Sequence, residues 1–162
     1  MIRDARDEDL ASIVQIYNSS IPGRLATADT EPVSLDSRRD WFREHSPDRH
    51  PLWVVSRDGA LGGWLSFEPF YGRPAYATTS EVSIYVAPQF HRQGIAAALL
   101  GQAVERAPSL DLRTLLGFIF SHNAPSVNLF LKFGFQEWAH LHEVADLDGI
   151  RRDLLILGRH VH

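Results

Sequence analysis

At 162 residues the chain fits one domain spanning residues 1–162, long enough to bury a core without disulfides or metals. With 44% hydrophobic and 22% charged residues and no cysteine, its composition is that of an ordinary globule; it excludes disordered and disulfide-stapled classes, cysteine nucleophiles and thiolate metal sites. Sixteen basic against twenty acidic residues leave a formal charge of −4, so no net basic field exists to hold nucleic acid or an anionic membrane.

The first ten residues are densely charged and lack the apolar stretch of a secretory signal, and no window is apolar enough to span a bilayer, so a cytoplasmic protein is expected. Ile2 to Asp4 suits a short strand. After Asp7, the residues Leu10, Ile13, Val14 and Tyr17 recur at helical spacing. The loop Ile21 to Val33 leads to a second helix after Ser34, with Trp41 and Phe42 on one face and an end by Pro47. Leu52 to Val55 reads as a strand, Asp58-Gly59 as a turn and Leu61 to Phe67 as the hairpin partner. The stretch Pro69 to Tyr76 is too rich in Pro and Gly for a regular element, and its aromatic content marks it as a recognition loop.

Val82, Ile84 and Val86 alternate with Glu81, Ser83 and Tyr85, a period of two that places the latter three on one face of a strand. Pro88 stops that strand. From Gly94 the apolar residues Ala96, Leu99, Leu100, Ala103, Val104 and Ala107 fall at helical spacing until Pro108. Leu115 to Phe120 is a continuous apolar run, as for a strand buried on both faces. Asn123 and Pro125 open a short helix carrying Leu129, Phe130 and Phe133, closed by Gly134. Phe135 to Val144 and Arg151 to Leu157 complete the chain as strands joined around Asp148-Gly149. The order is mixed α/β, with hairpins at both ends and two strand-to-helix units between. The Trp138 to Leu157 hairpin is apolar enough to contribute to a homodimer interface, and core packing explains it equally well.

Ligands in such sheets sit beyond the carboxyl ends of strands, where helix N-termini present free N–H groups. The loop His91-Arg92-Gln93-Gly94-Ile95-Ala96 lies at such a junction. Gly94 permits close backbone approach, Arg92 adds a cation and the helix dipole favours an anion, which together suit a pyrophosphate. The alternative is a tight turn that Gly94 merely relieves.

The segment Glu81-Val82-Ser83-Ile84-Tyr85-Val86-Ala87-Pro88, followed by His91 to Ala96, resembles the acyl-CoA motif of the GNAT acetyltransferase superfamily. Phe70-Tyr71-Gly72-Arg73-Pro74-Ala75-Tyr76, Asn123-Ala124-Pro125-Ser126, Lys132-Phe133-Gly134-Phe135 and Thr27 to Val33 resemble its phosphinothricin acetyltransferase-like branch, so the likeness spans nearly the whole chain. The resemblance implies a GNAT fold: a mostly antiparallel, twisted sheet of about seven strands with splayed central strands and about four flanking helices. It implies acetyl-CoA as co-substrate, with the main chain of His91, Arg92, Gln93, Gly94, Ile95 and Ala96 on the pyrophosphate. Ile84, Tyr85 and Val86 would pair with the pantetheine arm, and Asn123 and Ser126 would lie beside the cofactor. His91 and Ala96 depart from the residues usual at their positions. So does Phe130, which stands where the superfamily often has a Tyr, and this branch a His, as general acid. Tyr85, His122 or a water is left to supply that proton.

An amine acceptor needs a base, and Glu81 matches the carboxylate the branch uses; partial burial at a strand end raises such a carboxyl toward neutrality. By itself the residue reads better as an exposed strand-edge Glu; the surrounding motifs turn the reading toward catalysis. Arg73 is the candidate for a substrate carboxylate, and Phe70, Tyr71 and Tyr76 either wall the pocket or pack as ordinary loop aromatics. The paired histidines His45 and His50, His140 and His142, His160 and His162 lack a zinc-enzyme pattern and read as solvated, so no metal is expected. No serine-hydrolase elbow, Walker loop or full dinucleotide fingerprint is present. The expected activity is transfer of an acetyl group to a small amine, an amino acid or analogue, by direct attack. A non-catalytic acyl-CoA-binding protein and a protein N-acetyltransferase are the competing classes.

Overall fold

Two pairs of left-handed residues, Asp58-Gly59 (φ 53° and 78°) and Asp148-Gly149 (58° and 83°), give the tight hairpin turns marked in the sequence at either end. The computed structural model describes all residues, Met1 to His162. In chain order they form β1 (Ile2–Asp4), α1 (Leu10–Ser20), α2 (Arg39–Arg43), β2 (Leu52–Arg57), β3 (Ala60–Pro69) and β4 (Thr79–Val86). Then follow α3 (Ile95–Arg106), β5 (Thr114–Phe120), α4 (Ala124–Lys132), β6 (Gln136–Leu147) and β7 (Ile150–His160). The seven strands make one sheet in the order β1-β2-β3-β4-β5-β7-β6, antiparallel except between β4 and β5.

The helix after Ser34 keeps within its expected bounds but is only partly α-helical, and the final strands are longer than expected. The second helix is a 3-10 turn over Asp36–Arg38 followed by only five residues of α2, because the chain reverses at once into the bridge between Ser46 and His50. The final strands outrun their apolar stretches: polar residues of an edge hairpin still complete ladder hydrogen bonds, so β6 reaches Leu147 and β7 starts at Ile150.

Alternation sorts the side chains into two layers. Trp64, Ser66 and Glu68 of β3 stand opposite Tyr85, Ser83 and Glu81 of β4. This face meets α1, whose Ile13 carbonyl accepts the Trp64 indole N–H at 3.1 Å. The other face carries Leu65, Phe67 and Val82 toward α3 and α4, where the main core gathers with Ile95, Leu99, Leu100, Leu115, Phe130 and Leu157. A Cβ on Gly63 would lie 2.9 Å from both Ile95 Cγ2 and the Tyr85 carbonyl, so this glycine lets α3 sit directly on the sheet. Arg3 clamps both oxygens of the buried Asp9 at 2.7 and 3.0 Å, tying β1 to the approach of α1.

Candidate active site

The β4–β5 ladder holds only from Thr79–Thr114 to Glu81–Leu116, after which the strands have no common register. Beyond Glu81 the sheet forks, leaving Ser83 to Val86 without a strand partner on the β5 side while their other edge stays bonded to β3. Both helices that follow the diverging strands begin at the open end. At α3, Gly94 adopts φ 81° and Arg92 φ 62°, and no side chain caps the first N–H groups. These N–H groups lack intrahelical acceptors, so the main chain from Arg92 to Ala96 offers an anion a positive helix end. At α4 the buried Asn123 is the cap, its Oδ1 accepting the Ser126 N–H at 3.4 Å.

Residues 24–27 cross the fork as a strap. The Tyr85 hydroxyl donates to the Ala26 carbonyl at 3.2 Å, and Asn123 donates to that of Leu25 at 3.3 Å. The His122 Nε2–H reaches the Arg24 carbonyl at 3.0 Å, and the Arg24 guanidinium meets Asp148 at 2.8 Å.

On the α1 face lies a cavity of about 170 Å³ bounded by Tyr17, Arg38, Trp41, Trp64, Glu68 and Ser83, among others. That is below the roughly 300 Å³ of drug-sized sites and suits a molecule of amino-acid size. Its cation is Arg38, 4.9 Å above the Tyr17 ring, 5.6 Å from Trp41 and 3.3 Å from Asp29. Its carboxylate is Glu68, held by the Trp41 indole N–H at 3.1 Å. Glu81 stands just beyond, directly across the ladder from Glu68 and two residues from Ser83. Burial, reinforced by the Glu68 charge, raises its pKa to about 7.

The residues expected from the sequence fall into three groups. Glu81 lies at the fork, and Ile84, Tyr85 and Val86 supply its unpaired margin. His91, Arg92, Gln93, Gly94, Ile95 and Ala96 form the turn into α3. The His91 ring returns to the Val86 carbonyl at 3.0 Å and Gln93 accepts from Arg57 at 3.2 Å, so these side chains brace the turn. Asn123 and Ser126 share the α4 cap. Phe70, Tyr71 and Tyr76 cluster with one another on the α1 face, Phe70 reaching Phe118, while Arg73 is exposed in the same turn; none of the four lines the cavity.

Arg38, Glu68, Tyr17 and Trp41 were missed because α1, the 3-10 turn, α2 and β3 meet only in three dimensions; the one local hint was the Ser66-x-Glu68 alternation continuing past Phe67. Phe130 itself has no proton to give. Its ring is buried over Gly117, whose Cβ would come within 2.6 Å of it, on the α4 face. Tyr85 has its pKa raised strongly by burial and keeps its proton. His122 donates through Nε2, and its Nδ1 is buried without a partner. The reading of all histidines as solvated is corrected for His45 and His50, whose Nε2 atoms are buried and whose pKa values burial lowers.

Residues 10–135 match the Acetyltransferase (GNAT) family. The chain is 48% identical to YwnH of Bacillus subtilis strain 168 over 159 residues, 98% of this chain and 97% of that protein. It is 32% identical to the L-methionine sulfoximine/L-methionine sulfone acetyltransferase of Pseudomonas aeruginosa strain PAO1, over 96% of this chain and 91% of that one. Among solved structures, a GNAT superfamily phosphinothricin acetyltransferase from Sinorhizobium meliloti, in complex with AcCoA, superposes with a TM-score of 0.93 at 28% identity. The match covers 99% of this chain and 88% of that one. The cleft, the uncapped helix end and the matches agree: the chain belongs to the GNAT acetyltransferase family, in its phosphinothricin acetyltransferase-like branch.

Proposed function

We propose that this acetyltransferase moves the acetyl group of acetyl-CoA onto the α-amino group of a small amino acid or close analogue, by direct attack in a ternary complex. The observation that carries this reading is the fork at Glu81, which sets a strand margin open on one side next to a largely apolar cavity on the α1 face that holds Arg38 and Glu68. Ser83 to Val86 offer a pantetheine arm the amide pairing of an added strand, and the main chain from Arg92 to Ala96 receives the pyrophosphate. Asn123 and Ser126 flank the arm from α4. Across the sheet, Arg38 suits a carboxylate and Glu68 an ammonium group, the two charges of an amino acid. Arg73, with Phe70, Tyr71 and Tyr76, provides an outer rim for the side chain of the acceptor.

The amine nitrogen attacks the thioester carbonyl carbon and a C–N bond forms. The N–H proton passes to Glu81 through a water, and the N–H groups of the β4 margin near Val86 meet the charge growing on oxygen. The C–S bond then breaks with its electron pair on sulfur, and the thiolate takes its proton from water. A carboxyl with a pKa of about 7 is matched to this exchange near neutrality. Relatives named for phosphinothricin and for methionine sulfoximine and sulfone support a zwitterionic acceptor. No helix is long and apolar enough to cross a membrane, and we place the enzyme in the cytoplasm. Exposed Trp138 and Leu141, on the α1 face of the hairpin where no helix covers β6, support a homodimer formed through that face.

The test is thiol release from acetyl-CoA against methionine sulfone, phosphinothricin, common amino acids, polyamines and a lysine peptide; with no cysteine in the chain, a thiol reagent reads only product. Release with amino acids or their analogues is expected. Release with the peptide alone would make the protein a protein acetyltransferase, and acetyl-CoA binding without turnover on any acceptor would make it a non-catalytic binding protein.

A further inference from the structure

We propose that His140, His142 and Asp153 form a binding site for one divalent transition-metal cation of the zinc type, separate from the acetyl-transfer site. One donor atom from each lies within 4.8 Å of the others. His140 Nε2 is 2.7 Å and His142 Nδ1 3.6 Å from the same Asp153 oxygen, Oδ2, and the two imidazoles stack at 4.3 Å. Tetrahedral zinc with ordinary nitrogen and oxygen bonds sets its donors about 3.3–3.5 Å apart, so the trio closes on a cation once the two exposed rings turn out of their stack and draw their nitrogens together.

The backbone builds this arrangement. In β6 the register slips between Leu141, opposite Leu154, and Ala145, opposite Arg152, so three residues of β6 face Asp153 alone. Glu143, in the middle, has φ 52°. Its N–H is bound by Asp153 Oδ1 at 2.8 Å, and its carbonyl accepts the Arg151 Nε–H at 3.1 Å. Alternation along β6 sets His140 and His142 on one side of the sheet, opposite Leu141, and the register with β7 puts Asp153 on that same side; the bulge follows at Glu143 and turns its N–H onto Asp153. Asp153 therefore has one oxygen fixed by the backbone, while the other, which accepts from His140 Nε2, faces both imidazoles and would exchange that hydrogen bond for a bond to the ion. Behind His140, the Glu137 carboxylate is 4.0 Å from Nδ1, on the nitrogen a metal bound at Nε2 leaves protonated, as outer-shell carboxylates commonly stand.

Two imidazoles and one carboxylate select zinc, nickel or copper(II) over magnesium or calcium, which prefer all-oxygen shells. Three protein ligands leave a coordination position to water. The hairpin is the part of the sheet that such an ion would pin.

Zinc titration of the full chain by calorimetry, with melting followed in parallel, decides the question. One equivalent is expected to bind with micromolar affinity. At zinc a hundredfold above Kd the melting temperature rises by about 5–10 °C. His142→Ala and Asp153→Asn each weaken binding at least tenfold, whereas His162→Ala, at the C-terminus, leaves it within twofold. His142 is 76% exposed, so His142→Ala keeps the fold, checked by unchanged zinc-free melting; Asn at 153 can still accept the Glu143 N–H. Absence of saturable zinc binding in the wild type, unchanged affinity in His142→Ala, or a loss confined to His162→Ala would overturn the site.

Discussion

Glu81 is held protonated up to about pH 7 because it is half-buried and faces the negative charge of Glu68 across β3 and β4. In the proposed mechanism its ionised form is the base, so kcat/KM is expected to rise with pH through about 7; Glu68→Gln removes the like charge and moves that rising limb to lower pH. Glu81→Gln is expected to cut turnover by about a hundredfold or more and to leave acetyl-CoA affinity within twofold, since the cofactor meets main chain. The sign for stability is the reverse. A carboxyl whose pKa is raised on folding contributes fully below its unfolded value of 4.5, and that contribution is lost as pH rises through about 7. Glu81→Gln should therefore melt higher than wild type at pH 8 by the equivalent of about 1–2 kcal/mol, discounted for solvent access, and show little gain at pH 4.5. Arg38 is the proposed partner of the acceptor carboxylate, and Arg73 of the outer rim is the alternative. Arg38→Lys keeps the charge but loses the planar contacts with Tyr17 and Trp41, and is expected to raise the amino-acid KM about tenfold. A larger effect from Arg73→Ala would move the acceptor to the outer rim.

At the scale of elements, α4 depends on one contact and one cap. Phe130 lies flat over Gly117 with its ring edge-on to Phe135 at 4.9 Å, so the helix approaches β5 as closely as a residue without a side chain permits. Gly117→Ala should cost about 1–3 kcal/mol in chemical denaturation, and pairing it with Phe130→Leu should recover part of the loss. Asn123→Ala removes the cap and the bond to the strap at Leu25, with a loss of about 0.5–2 kcal/mol. Much at this scale was legible in the sequence. The alternation from Glu81 to Tyr85 gave the strand and its polar face, Pro88 and Gly94 bracketed the turn into α3, and the run from Leu115 to Phe120 announced a strand covered on both sides. The bulge at His142 to Val144 was not legible, because its cause is a carboxylate on the neighbouring strand. Nor was α2, whose two aromatic residues promise a longer helix than its flanking chain reversal allows.

Over the whole molecule, what the sequence withheld is where distant segments converge. Arg38 and Glu68 come from a short helix and a central strand, and the strap ties the loop after α1 to β4, to the start of α4 and to the final hairpin. Such meetings have no local period, whereas the motif from Glu81 to Ala96 is contiguous and was readable as a unit. The fork has a further consequence for handling the protein. Where β4 and β5 part, the sheet acquires two raw margins in its interior, each able to zip onto a foreign strand as an outer edge does. Protein lacking its nucleotide partner is then the sticky form, and concentrated samples should scatter light at lower temperature without acetyl-CoA than with it. Occupancy of the cleft thus serves the solubility of the fold as well as its chemistry.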